Sequence, residues 1–141
     1  MADSLTLRII TPEKVLMETQ AQSVQFPAQD GLTGVLKGHA PLVSALDAGV
    51  LSWKGSDGNS EMFVAGGFCE VRDNVIRVVT EAGEPVSDID VDRAAKAGER
   101  ARHRLAGKDV DFDPAEFDLI RAQAALRRSL MRQAAGRRNR R

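Results

Sequence analysis

The stretch from Gly31 to Val50 constrains this chain more than any other, because it cannot hold a helix. It reads Gly31-Leu-Thr-Gly-Val-Leu-Lys-Gly-His-Ala-Pro-Leu-Val-Ser-Ala-Leu-Asp-Ala-Gly-Val50, short apolar pairs between glycines, around one His-Ala-Pro-Leu tetrapeptide at 39–42. Glycine and proline at this density predict short strands joined by tight turns, with a conspicuous loop at Gly38 and His39. The flanks follow the same habit. Residues 4–10 alternate apolar and polar, the period of a half-buried strand, until Thr11-Pro12-Glu13 breaks it. Val15–Met17 and Ala21–Phe26 read as strands, the second ended by Pro27. Val35–Leu36, Leu42–Leu46 and Val50–Trp53 follow, separated by Lys37-Gly38 and Asp47-Ala48-Gly49. Lys54–Asn59 is a hairpin loop rich in residues that tolerate positive φ. Met62–Ala65, Phe68–Arg72 and Val75–Val79 complete the set, with Gly66-Gly67 as a tight turn or bulge and Asp73-Asn74 as a tight turn. About ten short strands at this spacing predict a sandwich or flattened barrel.

Gly83-Glu84-Pro85 ends the β-region, and the chain changes character. Ser87 and Asp88 are suitable N-caps for a helix starting near Ile89 and ending at Gly107. Asp113-Pro114-Ala115-Glu116 starts a second helix, with a side-chain cap, proline at the first helical position and glutamate three residues after the cap. It is expected to run to about Ala135, leaving Gly136–Arg141 as a frayed basic tail. Ala94, Gly98, Ala101 and Leu105 fall on one side of the first helix; Ala122, Ala124, Ala125 and Ala135 give the second small surfaces too. Small residues permit close backbone approach, so an antiparallel hairpin with its loop at 107–112 is predicted. Phe117, Ile120, Ala124 and Met131 form a second apolar row. The fold class is α+β: a sandwich over 1–86, then a helix-turn-helix over 87–141. Each buried methylene contributes only about 0.8 kcal/mol, so an alanine-lined hairpin is marginal alone and depends on docking.

The charge is divided in the same place. Residues 1–88 carry a net −6 and residues 89–141 a net +6, so the two units face different partners. One cysteine, Cys69, excludes a disulfide framework and reads as a small core hydrophobe in a reducing compartment. No apolar run approaches the roughly 20 residues that span a bilayer, and Met1-Ala-Asp-Ser-Leu5 lacks the pattern of a secretion signal. A soluble cytosolic chain is expected, reaching a membrane only through a partner. His39 and His103 are the only histidines. No nucleophile stands at recognisable spacing from them, so His39 is read as a loop residue that bonds backbone. Metal ligands are too few. Gly66-Gly67 lacks the Gly-Lys-Ser/Thr ending of a phosphate loop. Residues 121–141 hold eight arginines and no lysine. They suit an acidic protein surface, where guanidinium groups meet carboxylates in pairs. Nucleic-acid binding through the same helix is the alternative, weakened by an acidic β-half and few aromatics for stacking.

Three blocks carry a resemblance across nearly the whole chain: Gly38-His-Ala-Pro-Leu-Val-Ser-Ala-Leu46 with Gly49, Phe63-Val-Ala-Gly-Gly-Phe68 with Glu70-Val71, and Asp73-Asn-Val-Ile-Arg-Val-Val-Thr80. With the helical hairpin they resemble the epsilon subunits of bacterial F-type rotary ATP synthases. The resemblance implies a non-catalytic central-stalk subunit that binds the gamma subunit, rests on the c-ring and turns with both, coupling ion-driven rotation to ATP synthesis. It implies a peripheral location on the cytoplasmic face of the bacterial inner membrane, as part of the complex. Gly31, Leu32, Gly38, His39 and Pro41 are the partner-binding residues it implies in the sandwich; Leu32 stands where some relatives carry an acidic residue. In relatives the hairpin lies folded on the sandwich or extends into the catalytic head and opposes ATP hydrolysis. Here that would bring Arg121, Arg127, Arg128 and Arg132 to acidic alpha/beta surfaces. Some relatives bind ATP in the folded hairpin through a pattern matched by Ile89-Asp-Val-Asp-Arg-Ala94. Asp90, Arg93, Ala94, Arg100 and Arg127 are then the implied regulatory ATP site, with no cofactor required. The plain reading of the same residues is a helix start, with Asp90 at the N-terminus and Arg93 paired to it.

Overall fold

The computed structural model describes residues 4–106 and 119–139. The chain divides into two compact units, Met1–Val86 and Ser87–Arg141. In the first, the described residues form eight strands: β1 (Leu5–Ile10), β2 (Val15–Ala21), β3 (Ser23–Ala28), β4 (Gly31–Leu36), β5 (Leu42–Gly55), β6 (Gly58–Arg72), β7 (Val75–Val79) and β8 (Gly83–Pro85). Their order is β2-β1-β7-β6-β5-β3-β4, with β8 on β6. All pairs are antiparallel except β1 with β7.

The strands are fewer and longer than the turn residues suggest. Asp47-Ala48-Gly49 does not separate two strands but lies within the 14-residue β5. Gly66 and Gly67 lie within the 15-residue β6, both at positive φ, 99° and 115°. The β5–β6 register passes them unbroken, from Leu46↔Gly67 to Ala48↔Ala65, so they make neither a turn nor a bulge in that ladder. What changes there is the neighbour on the other edge of β6: β7 pairs with Phe68–Arg72, and β8 pairs with Met62–Val64. The two long strands thus serve both layers of the sandwich. One layer is β2-β1-β7 with the Leu42–Leu46 and Phe68–Arg72 segments. The other is β4-β3 with the later part of β5, the earlier part of β6, and β8. Gln22 is the corner between β2 and β3, its N–H donating to Lys54 O at 2.7 Å. Pro27 does not end its strand. It pairs with Leu32 across β3–β4, while the β3–β5 ladder shifts between Gln25 and Ala28, where proline has no N–H to donate.

The core forms where the period-two pattern turns inward. Leu5, Leu7 and Ile9 of β1 are fully buried with Phe26, Leu51, Val64, Ile76 and Val78. Each large apolar side chain so removed from water contributes roughly 1.5–3 kcal/mol. Cys69 is buried in the same core as a small hydrophobe.

Val86–Asp88 form one 3₁₀ turn where the first unit ends and the second begins, and α1 runs Val91–Leu105. The cap is Asp90, not Ser87 or Asp88: its Oδ1 accepts from the Arg93 N–H at 3.0 Å. α1 closes at Ala106, whose N–H returns to Arg102 O. Gly107, the loop at 107–112, the Asp113-Pro114 start and Phe117 lie outside the described residues, and so does the side chain of Ile120. α2 spans Leu119–Asn139, so Gly136, Arg137 and Arg138 are helical and not a frayed tail. Gly136 continues the helix because it packs against α1. A Cβ there would stand 2.6 Å from Val91 Cγ2 and 3.0 Å from Ile89 Cγ2. The late α2 residue beside the start of α1 makes the pair antiparallel.

Candidate functional site

The first group of side chains gathers around the Asp73-Asn74 turn. Arg72 pairs with Val75 across a two-residue hairpin, and both turn residues take positive φ, 49° and 63°, as a hairpin of this hand requires. Held so, Asn74 reaches two other elements. Its backbone oxygen accepts from the Thr6 N–H at 2.9 Å, and its side-chain Oδ1 accepts from the Gly38 N–H at 2.7 Å. Gly38 itself needs the left-handed region, at φ 81°. The His39 N–H donates to Leu36 O at 3.1 Å. His39 Nδ1 lies 2.6 Å from Ala40 O; a carbonyl only accepts, so Nδ1 carries the proton. His39 therefore fixes its own loop, and no cluster of metal-ligating side chains stands with it among the described residues. Pro41 is exposed beside it. Nothing in the sequence singles out Asn74 beyond its place in a turn, yet it is the anchor of this loop.

Gly31 and Leu32 lie at the other end of β4, about 17 Å from the loop by strand rise. They are not part of one cluster with Gly38, His39 and Pro41. Leu32 is 67% exposed, and β4 ends the sheet order with Leu36 equally uncovered.

A third surface is not evident from the motifs. Where the inner faces of β1, β6 and β7 are filled, the alternate residues form rows on the outer face. Register aligns Ala45, Phe68, Val79, Ile10 and Val15 in one continuous apolar row across five strands. Phe68 is 43% exposed and Val15 48%. The next row is Val43, Glu70, Arg77, Arg8 and Glu18. In it Arg77 Nη2 meets Glu70 Oε2 at 3.0 Å and Arg8 Nε meets Glu18 Oε2 at 3.3 Å. An apolar strip beside paired charges is the makeup of a protein interface. The alternation in residues 4–10 contains this signal, since it sends Ile10 outward, but the row exists only once five strands are in register.

In the helical unit, the residues of the implied ATP site have other duties or stand apart. Asp90 caps α1 through the backbone of Arg93 and not through its guanidinium. Ala94 is buried between the helices, where its carbonyl accepts from the Ser129 hydroxyl. Arg93 and Arg100 are exposed on one side of α1, roughly 10 Å apart along its axis. Arg127 is exposed on α2, whereas Arg128 and Arg132 are half-buried. Arg121 belongs to α2, but its side chain lies outside the described residues. Among the described residues no helix is long and apolar enough to cross a membrane.

Comparison with known proteins agrees with this geometry. Residues 4–86 match the family described as the ATP synthase delta/epsilon chain, beta-sandwich domain, and residues 87–136 its long alpha-helix domain. The chain is 45% identical to the ATP synthase epsilon chain of Nitratidesulfovibrio vulgaris, over 94% of this chain and 95% of that one. It is also 45% identical to the epsilon chain of Symbiobacterium thermophilum, over 96% and 95%. A chain in the cryo-EM structure of the Euglena gracilis mitochondrial ATP synthase, OSCP/F1/c-ring, superposes with a TM-score of 0.76 at 26% identity, covering 94% of this chain and 81% of that chain. A chain of the Tetrahymena thermophila central stalk and c-ring shares the fold alone, at a TM-score of 0.60 and 10% identity. None of these relatives supports a nucleic-acid-binding role, and that alternative is dropped. With both of its units matched in order and nearly its whole length aligned, this chain belongs to the ATP synthase delta/epsilon family, as an epsilon-type chain.

Proposed function

We propose that this chain works in the central stalk of a bacterial rotary ATP synthase, turning with the gamma subunit and the c-ring, and catalyses nothing itself. It sits on the cytoplasmic side of the membrane, held there by the complex. The observation that carries the reading is the exposed row Ala45, Phe68, Val79, Ile10 and Val15. It offers gamma an apolar strip on the sheet, the Gly31–Leu32 edge offers the c-ring a second contact, and the loop at Gly38–Pro41 is a separate contact at the other end of β4. The arginines of the helical unit, Arg121, Arg127, Arg128 and Arg132, oppose hydrolysis by meeting acidic surfaces of the catalytic head. Regulatory ATP belongs to the same reading: Asp90 and Ala94 are engaged within the helices, and the guanidinium groups of Arg93, Arg100 and Arg127 are the groups whose chemistry suits its phosphates. Calorimetry of the full chain at millimolar ATP gives binding heat if they do, and none if they do not.

The central test uses Phe68→Glu. The side chain is outward, so the melting temperature should stay within a few degrees, while affinity for purified gamma should fall at least tenfold. Unchanged affinity would remove this face from the stalk interface.

A further inference from the structure

Ile89 and Val91 are buried at one end of the seam between α1 and α2, against Gly136; the rest is lined by Ala94, Gly98 and Ala101 on one side and Ala122 and Ala135 on the other, residues that bury little apolar surface. Among the described residues, one fully buried polar side chain sits within the seam. Ser129 is 2% exposed, its hydroxyl donates to the Ala94 carbonyl of the facing helix, and it accepts from Gln133 Nε2 at 3.0 Å. The space exists because residue 98 has no side chain. A Cβ there would stand 2.6 Å from Ser129 Oγ and 3.3 Å from Gln133 Nε2. Ala94 and Gly98 are one turn apart on the same face, so the hydroxyl enters a notch directly beside its acceptor.

We propose that Ser129 seated in the Gly98 notch is the latch of the helical pair. It sets the register of the two helices and holds them paired along the part of the seam that has only small side chains. A buried hydroxyl must keep its partner, so a slip of one turn would strand it against alanine. Away from Ile89 and Val91 the seam buries little apolar surface, so local opening of the pair is governed at this point. The Gly136 notch under Ile89 and Val91 adds a second small-residue contact at the start of α1. The latch stands on the geometry of the helical unit and does not depend on which partner that unit meets.

Amide exchange of the full chain tests it, using Gly98→Ala, Ser129→Ala and the double variant, with the strand amides as internal reference. Helix propensity alone makes Gly98→Ala stabilising, and exchange slower, in any background. The latch reverses that sign in the parent chain. A methyl at 98 expels the hydroxyl, and exchange over both helices rises about tenfold or more; Ser129→Ala alone raises it about fivefold. In the double variant the methyl fills the space the hydroxyl left, and exchange is slower than in Ser129→Ala. The same effect of Gly98→Ala in both backgrounds, in either direction, overturns the latch. If Gly98→Ala removes all protection from the helices, the double variant decides: protection regained supports the latch, and protection still absent overturns it.

Discussion

Gly67 is the residue at which this sandwich tolerates least. It takes φ 115° inside a strand, and a Cβ would overlap the Val79 carbonyl of the neighbouring strand. Gly67→Ala meets strain and backbone together, and should cost roughly 3 kcal/mol or more, seen as a fall of at least about 10 °C in melting temperature. Gly31 is the contrast: φ is 131°, but nothing stands within 4 Å of a Cβ. Gly31→Ala should cost only about 1 kcal/mol by the same measurement. The pair of glycines at 66 and 67 is visible in the sequence; that one of them faces Val79 in mid-strand is not, because Val79 arrives from a separate strand. Cys69 gives a pH effect. Burial pushes its thiol from 9.0 up to about 12, helped by the charge of Glu70. The fold holds the neutral thiol, so this contribution to stability is complete below pH 9 and is lost as pH rises toward 12. Denaturant titrations of the parent and Cys69→Ala should separate above pH 9, the parent losing up to about 1.4 kcal/mol more per pH unit. Parallel pH profiles would show that Cys69 does not titrate with unfolding.

The elements differ in what holds them. β5 and β6 pair over thirteen positions and carry much of the core, whereas α1 and α2 meet largely through alanine, glycine and one buried serine, with Ile89 and Val91 at one end. Amide exchange should therefore show the β5–β6 ladder opening only with global unfolding, and the helices exchanging at least tenfold faster. Equal protection would mean that the helical unit is held by more than its own seam. The Gly38 amide is held by a single carboxamide. Asn74→Gly keeps the left-handed turn but removes the acceptor, so the Gly38 amide should lose protection while global stability changes by about 1 kcal/mol. Much of this was legible locally. The alternation of residues 4–10, the Asp73-Asn74 turn and the helical spacing of Ala94, Gly98 and Ala101 all lie where their patterns indicate. The start of α1 was not, because Ser87, Asp88 and Asp90 are all suitable caps and the choice falls to burial of Ile89 and Val91 behind Asp90.

As a whole the chain is two compact units, Met1–Val86 and Ser87–Arg141. A chain ending at Val86 keeps every strand and should melt within a few degrees of the parent β-unit. In an assembled synthase that truncation should raise ATP hydrolysis several-fold if the helices act as a brake. Hydrolysis unchanged, with pumping intact, would leave coupling to the sandwich and remove the brake from the proposal. The sequence by itself determined what depends on neighbours along the chain: where strands alternate, where the backbone must turn left-handed, where the β-region stops, and how charge divides between the units. Only the tertiary structure decided that the segments on either side of Asp47–Gly49 and of Gly66-Gly67 run on as single strands, that Ile10, Phe68 and Val79 align into one outward row, and that Ser129 closes on Gly98. These are outcomes of register between distant segments. The energy of an apolar or polar side chain is set by what faces it, and no local pattern specifies the facing residue.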